Sequence, residues 1–189
     1  MQINWRQDSW QRAWMFASRA HQGQTYGGAL PGEQIAYINH LASVAMEVSW
    51  ALQAEAGPGL DGDLALQCAL LHDTLEDCGI TYASVAAEFG LAVADGVQAL
   101  SKNPALPKAQ QLADSLQRIL RQPREVAMVK LADRIANLYH PPFYWDDAKI
   151  ISYQSEAGQI LNALGAASPC LAARLQEKIA AYGRFVRGG

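Results

Sequence analysis

Apolar residues recur at intervals of three and four along almost the whole chain, and nowhere do they alternate. The run PREVAMVKLADRIANLY opens on a proline suited to a helix start and is closed by HPP. TYASVAAEFG places Thr81 as an N-cap and Gly90 just past the end. A first helix carries Trp10, Trp14 and Ala17 towards His21, and a second runs from Ile38 through LASVAMEVSWAL, stopping before AGPGLDGD. A third begins near Asp61 or Asp63, either of which could cap it, and ends around HDTLED. LAVADGVQALSK, PKAQQLADSLQRIL with Pro107 in its first turn, and DDAKIISYQSEAGQILNAL follow the same spacing. SPCLAARLQEKIAAYGRF closes the series, with Ser168 and Pro169 as cap and first turn. HQGQTYGGALPGEQIAY holds turn residues without a period and reads as a loop. The expectation is a single all-α domain over residues 1–189, a bundle of about eight or nine helices.

A chain of 189 residues suits one hydrophobic core. Its net charge of −3 is scattered, with no basic stripe for nucleic acid and no cationic amphipathic segment for a membrane surface. The opening MQINWRQDSW is polar, without the apolar core of a signal peptide, and no apolar run is long enough to span a bilayer. Cys68, Cys78 and Cys170 are odd in number and lack CxxC spacing, so they are expected as reduced, structural thiols in a cytoplasmic protein. Nothing in the sequence speaks to oligomeric state.

The exception to this bland pattern is CALLHDTLEDCGIT, where an apolar run leads straight into His72, Asp73, Glu76 and Asp77. If the helix continues, each residue turns about 100°, which puts Glu76 between His72 and Asp73 on one face and Asp77 beside them. Three carboxylates so close repel one another unless a cation or shared protons relieve them. An imidazole beside a carboxylate suits a divalent metal of the manganese, iron or zinc kind, whereas the plain alternative is a solvated acidic helix end. Two further segments carry ligand-type residues. AYINHLASVAMEV begins a helix with His40, and AMVKLADRIANL embeds Asp133 where Val129, Ala132 and Ala136 should face inwards. A buried carboxylate needs a partner, which Lys130, Arg134 or a metal could each supply.

Taken in order, these segments resemble the HD superfamily of metal-dependent phosphohydrolases. HDTLED is similar to the HDxxED signature of the Rel/Spo-type alarmone hydrolases, and FASRAHQGQ, AYINH, AEFGLAVADGVQALSK and VKLADRIANL match further segments in sequence. The resemblance runs from about Ala13 to Asn137, and SYQSEAGQILNALGAASPCLAARL resembles the tail of small single-domain members. It implies that His40, His72, Asp73 and Asp133 bind one Mn²⁺ per chain. It also implies that Glu76 and Asp77 orient and deprotonate the attacking water, and that Asn137 reaches towards a small-molecule nucleotide. Two imidazoles and two carboxylates agree with that, since they suit a borderline metal with positions left for water and a phosphate oxygen. The implied substrates are guanosine or adenosine alarmones, (p)ppGpp or (p)ppApp, losing their 3′-pyrophosphate. Another HD nucleotide phosphatase, or a non-catalytic nucleotide-sensing module, are the competing readings.

The sequence departs from many relatives between His21 and His40, where a basic pair is replaced by a stretch without Arg or Lys, and Leu41 stands where Pro often follows the first His. Tyr26 could stack on the base instead, and stacking tolerates any base. Weak discrimination between guanosine and adenosine substrates is therefore expected, with any tilt towards adenosine. Lys149 is a candidate phosphate contact, His21 a helix-end residue supporting the site, and His140 a C-terminal cap. Phe143, Tyr144 and Trp145 read either as loop packing or as a pocket wall.

Overall fold

The computed structural model describes residues 5–55 and 59–187. The first four residues of the polar opening and the AGP of AGPGLDGD lie outside them. Among the described residues the helices are α1 (Gln7–Ala20), α2 (Ile38–Ala54), α3 (Gly62–Leu71), the single turn α4 (Thr74–Asp77) and α5 (Tyr82–Phe89). Then come α6 (Leu91–Leu100), α7 (Lys108–Ile119), α8 (Arg124–Asn137), α9 (Asp147–Leu164) and α10 (Pro169–Tyr182). No helix among them is long and apolar enough to cross a membrane. The all-α bundle expected from the periodicity is the observed fold.

Helix starts follow the chemistry of their caps. Asp61 caps α3 by accepting from the Leu64 amide at 3.0 Å. Asp63, the other candidate, instead accepts from the Arg6 amide and guanidinium, both at 2.7 Å, and so ties down the start of α1. Thr81 and Ser168 accept from the amides of Ser84 and Leu171 at 3.1 and 3.2 Å, as expected, and Gly90 follows α5 with φ 89°. Pro107 and Pro123 sit one residue ahead of their helices, as caps rather than in the first turn.

Helix α8 is the spine. Val126, Met128, Val129, Leu131, Ala132 and Ile135 are fully buried within it, and α2, α3, α6, α9 and α10 all pack against it. Ala136, expected to face inwards, is only half-buried. At Gly96 the backbone of α6 comes so near α3 and α8 that a Cβ there would meet the Cys68 sulfur at 2.7 Å and a Val126 methyl at 3.0 Å.

Two local features depart from the sequence reading. The stretch read as a loop contains a small antiparallel hairpin, β1 (Thr25–Gly27) with β2 (Gln34–Ala36), in which Tyr26 faces Ile35 across the pair. Strands of three residues are too short for alternation to register as a period. The hairpin is fastened to the chain after α8 by the Phe143 amide, which donates to the Gly28 carbonyl at 3.1 Å. The second departure is in HDTLED. Helix α3 ends at Leu71 instead of running through, and His72 and Asp73 form a turn before α4. Two side chains compete there for helix carbonyls: Thr74 Oγ1 donates to Leu71 O at 2.7 Å, and His72 Nδ1 lies 2.8 Å from Ala69 O.

Candidate metal centre

Three elements bring the ligand-type residues together. His40 comes from the first turn of α2, His72 and Asp73 from the break after α3, and Asp133 from α8. The two imidazole Nε2 atoms lie 3.3 Å apart, and Asp133 Oδ1 lies 3.4 Å from that of His40 and 3.9 Å from that of His72. Asp73 Oδ2 sits 2.9 Å from His72 Nε2 and 3.7 Å from His40 Nε2. His40, His72 and Asp133 are buried and form a set able to hold a metal ion; Asp73, half-buried, stands at its open side. The contact of His72 Nδ1 with the Ala69 carbonyl requires the proton on Nδ1, which leaves the Nε2 lone pair for a ligand. Asp133 is fixed from behind, with Lys130 donating to Oδ2 at 3.0 Å and Asn137 to Oδ1 at 2.6 Å. Lys130 is thus the cation for the buried carboxylate. Arg134 turns away to lie over the Tyr153 ring, 3.9 Å from its centroid.

The His72 imidazole and the carboxylates of the set hold one another in their charged forms. Burial alone would depress the His72 imidazole, yet Asp73 and then Asp133 hold it up to about 9. Against the cost of burial, His72 and His40 keep Asp73 below the usual carboxylate range, while Lys130 and the two imidazoles do so for Asp133. A divalent ion satisfies the same carboxylates with the imidazoles neutral, so the residues present fit one.

The acidic pair Glu76 and Asp77 stands on the wall of a cleft that His40, Asp73 and Asp133 also line. After the interruption at His72 and Asp73, both Glu76 oxygens face Lys102, at 2.9 Å from the amide and 2.6 Å from Nζ. Asp77 is pushed above the usual carboxylate range by partial burial and then by the charges of Asp73 and Glu76. Around these groups a lobe of about 620 Å³ is lined by Lys102, Lys108, Lys130, Arg134 and Lys149. It adjoins a second lobe of about 380 Å³ walled by Tyr26, Trp145 and Tyr153. Tyr37, His40, Asn137 and Tyr153 border both. Of the residues picked from the sequence for the site, all but His72 line one of these two lobes, and His72 lies behind them, 3.3 Å from His40 and 2.9 Å from Asp73.

The HD domain family model matches residues 13–167. The chain belongs to this family. It is 30% identical over 166 residues to the guanosine-3′,5′-bis(diphosphate) 3′-pyrophosphohydrolase MESH1 of Danio rerio, covering 86% of this chain and 87% of that one. To the human MESH1 it is 31% identical over 153 residues, 79% of this chain and 80% of that one. With the Vibrio cholerae guanosine-3′,5′-bis(diphosphate) 3′-pyrophosphohydrolase it shares 34% over 133 residues, which span 67% of this chain but 17% of that longer protein. The fold is that of the solved metazoan ortholog of SpoT, described as hydrolysing ppGpp. The TM-score is 0.77 at 23% identity, over 96% of this chain and 99% of that one.

Within this HD domain, several residues near the ligands gave no signal of their own. Tyr37 donates to Asp73 Oδ2 at 2.5 Å, and burial followed by the charge of Asp73 raises its hydroxyl well above a normal phenol. Its place three residues before His40, one helical turn away, was the available clue. His21, expected as a supporting residue, ends α1 and stacks on Tyr37 with ring centroids 4.8 Å apart. Lys102 reaches Glu76 across 26 positions of sequence, which no local pattern reveals. His140 does not cap α8, which ends at Asn137 with Leu138 as its cap; its ring packs on Phe185 at 4.5 Å. Trp145 is a pocket wall, whereas Tyr144 lies against Gly27 of the hairpin.

Proposed function

We propose that this chain is a pyrophosphohydrolase of cytoplasmic guanosine or adenosine alarmones, using one Mn²⁺ held by His40, His72, Asp73 and Asp133. The observation that carries this reading is the cleft itself. His40 of the ligand set borders both a lobe lined by five cations, which Asp73 and Asp133 also line, and a lobe walled by aromatic rings. Such a junction suits a molecule with polyphosphate at one end and a purine at the other. The kinship to proteins named as 3′-pyrophosphohydrolases of guanosine bis(diphosphate) supplies the class of reaction.

A divalent ion at this set supplies Lewis acidity and lowers the pKa of a water beside it. The chain's own residues do the rest. Lys102, Lys108 and Lys149 line the lobe and attract the phosphates, while Asn137 stands where the lobes meet. Asp77, with its raised affinity for a proton, and Glu76, held by Lys102, take the proton of the attacking water. The water oxygen bonds to the phosphorus on the ribose 3′-oxygen, that P–O bond breaks, the proton passes to the 3′-oxygen, and pyrophosphate departs from a nucleoside that regains its 3′-hydroxyl and keeps its 5′-phosphates.

The test is a panel of guanosine and adenosine tetra- and pentaphosphates with Mn²⁺, read by product identity. Pyrophosphate is expected from the 3′ end. Orthophosphate as the only product would favour an HD phosphatase, and tight binding without turnover a nucleotide-sensing module.

A further inference from the structure

The aromatic lobe contains a charge that the proposed reaction does not use. Glu33, on the turn of the hairpin, lines this lobe together with Tyr26, Trp145 and Tyr153. Its Oε2 accepts from the Leu30 amide at 3.1 Å, and its carbonyl accepts from the Gly28 amide at 3.1 Å, so the residue is anchored at both ends. The carboxylate lies flat over Gly28: a Cβ at that position would meet Oε2 at 2.1 Å and Cδ at 2.4 Å. Gly28 is not among the glycines with positive φ, so what glycine supplies there is room for Glu33. Among the described residues no hydrogen bond or ion pair engages Oε1, and the lobe-lining residues include no Arg or Lys. The Glu33 charge also contributes, after burial, to raising the Tyr26 hydroxyl, which places it next to that ring.

The geometry points to Glu33 as the residue that selects the base, and its choice is guanine. This rests on the alarmone reading of the cleft. An ionised carboxylate only accepts hydrogen bonds, through two adjacent oxygens. Guanine alone among the common purines presents two adjacent donors on one edge, N1–H and the 2-amino group, and can meet both oxygens at once. Hypoxanthine keeps N1–H but has no 2-amino group. Adenine turns the N1 lone pair towards the carboxylate and offers one amino donor beside it. Stacking on the aromatic walls holds any of the three; the carboxylate sorts them. Judged by its lack of cations alone, this segment predicts weak discrimination. Its one carboxylate, folded into the lobe by the hairpin, reverses that expectation.

The experiment measures binding separately from turnover. The full chain with Mn²⁺ is titrated by calorimetry with guanosine, inosine and adenosine 5′-diphosphates, beside Glu33→Gln and Gly28→Ala proteins checked for folding by circular dichroism. Guanosine diphosphate should bind at least about tenfold more tightly than adenosine diphosphate, with the inosine compound between them. Glu33→Gln, which keeps the shape but offers one acceptor and one donor, should bring guanosine and adenosine within about threefold of each other. Gly28→Ala should do the same while retaining the negative charge, because its methyl occupies the carboxylate's seat. A guanosine preference that survives Glu33→Gln overturns the assignment. So does an equal loss of all three ligands in both variants, or no binding of any of them to the unaltered chain. Absence of pyrophosphate release from the tetraphosphates, with the base preference intact, overturns the hydrolase reading and leaves Glu33 as the base selector.

Discussion

Asp133 shows how one side chain can be committed to a site from several directions. It is buried, its Oδ2 is held by Lys130 and its Oδ1 by Asn137, and the same Oδ1 faces both imidazoles. Removing it leaves Lys130 half-buried without its anion and the imidazoles without a carboxylate from α8. Asp133→Ala is therefore expected to lose both bound metal and turnover, and full metal content by elemental analysis would sink the site assignment. Glu76 differs, because it touches Lys102 and not the ligands. Glu76→Gln should keep the metal while the rate falls by roughly 10²–10⁴-fold. Near-normal single-turnover rates would move the base role to Asp77. Tyr37 acts through another group: its hydroxyl fixes Asp73 Oδ2. Tyr37→Phe should weaken metal affinity by about 10–100-fold, the usual effect of losing a hydrogen bond to a ligand. A chelator competition assay showing unchanged affinity would reduce Tyr37 to packing. His40, His72, Asp73 and Asp133 could be picked from the sequence because each puts ligand chemistry on or beside an apolar helix. Tyr37, Lys102 and Glu33 could not, since their roles exist only through contacts made in the folded chain.

Among the elements, helices announced by a cap were legible to within a residue, as Thr81, Gly90 and Ser168 show. The break after Leu71 was not. Its sequence has neither glycine nor proline at the break, and the helix stops because the Thr74 hydroxyl and the His72 ring take carbonyls of its last turns. That break also shapes the candidate site, since there His72 Nε2 meets Asp73 at 2.9 Å and Asp73 lines the cleft, while Glu76 just beyond pairs with Lys102. The hairpin escaped for want of length. The close approach of three helices at Gly96 is equally silent in sequence. Gly96 lets α6 press on Cys68 of α3, which ends just before His72, and on Val126 of α8, which carries Asp133. Alanine there would gain about 1 kcal/mol in helix propensity. The methyl would have to displace a fully buried sulfur and a buried methyl, an overpacking cost of roughly 1–3 kcal/mol. A net loss of stability is expected for Gly96→Ala, with part of it restored in a Cys68→Ala background where the sulfur is gone. Urea unfolding of the four proteins of that cycle measures the coupling. Strict additivity would show that the contact relaxes without strain.

At the scale of the whole molecule, the candidate metal centre joins three segments distant in sequence, α2, the turn after α3, and α8, at one point of the core. In the metal-free chain those segments are joined by protons instead. His72 keeps its proton up to about 9 in the folded chain, against an ordinary 6.5, because Asp73 and Asp133 lie beside it despite its burial. Its contribution to folding is therefore complete below 6.5 and is lost as the pH rises through about 9. The lowered Asp73 and Asp133 work in the opposite sense, adding stability above the ordinary 3.8 and losing it as the pH falls through their depressed values. A metal ion requires the neutral imidazole, so below a pH of about 9 it must displace the His72 proton, and uptake at neutral pH should release about one proton per ion. The metal-free chain should accordingly lose thermal stability between pH 6.5 and 9, while the stabilisation conferred by Mn²⁺ grows over the same interval. Melting curves of chelator-stripped and reloaded protein across that range measure both trends. A gap in Tm that stays constant with pH would mean that the ion and the proton do not compete for His72, and that the ion is held elsewhere.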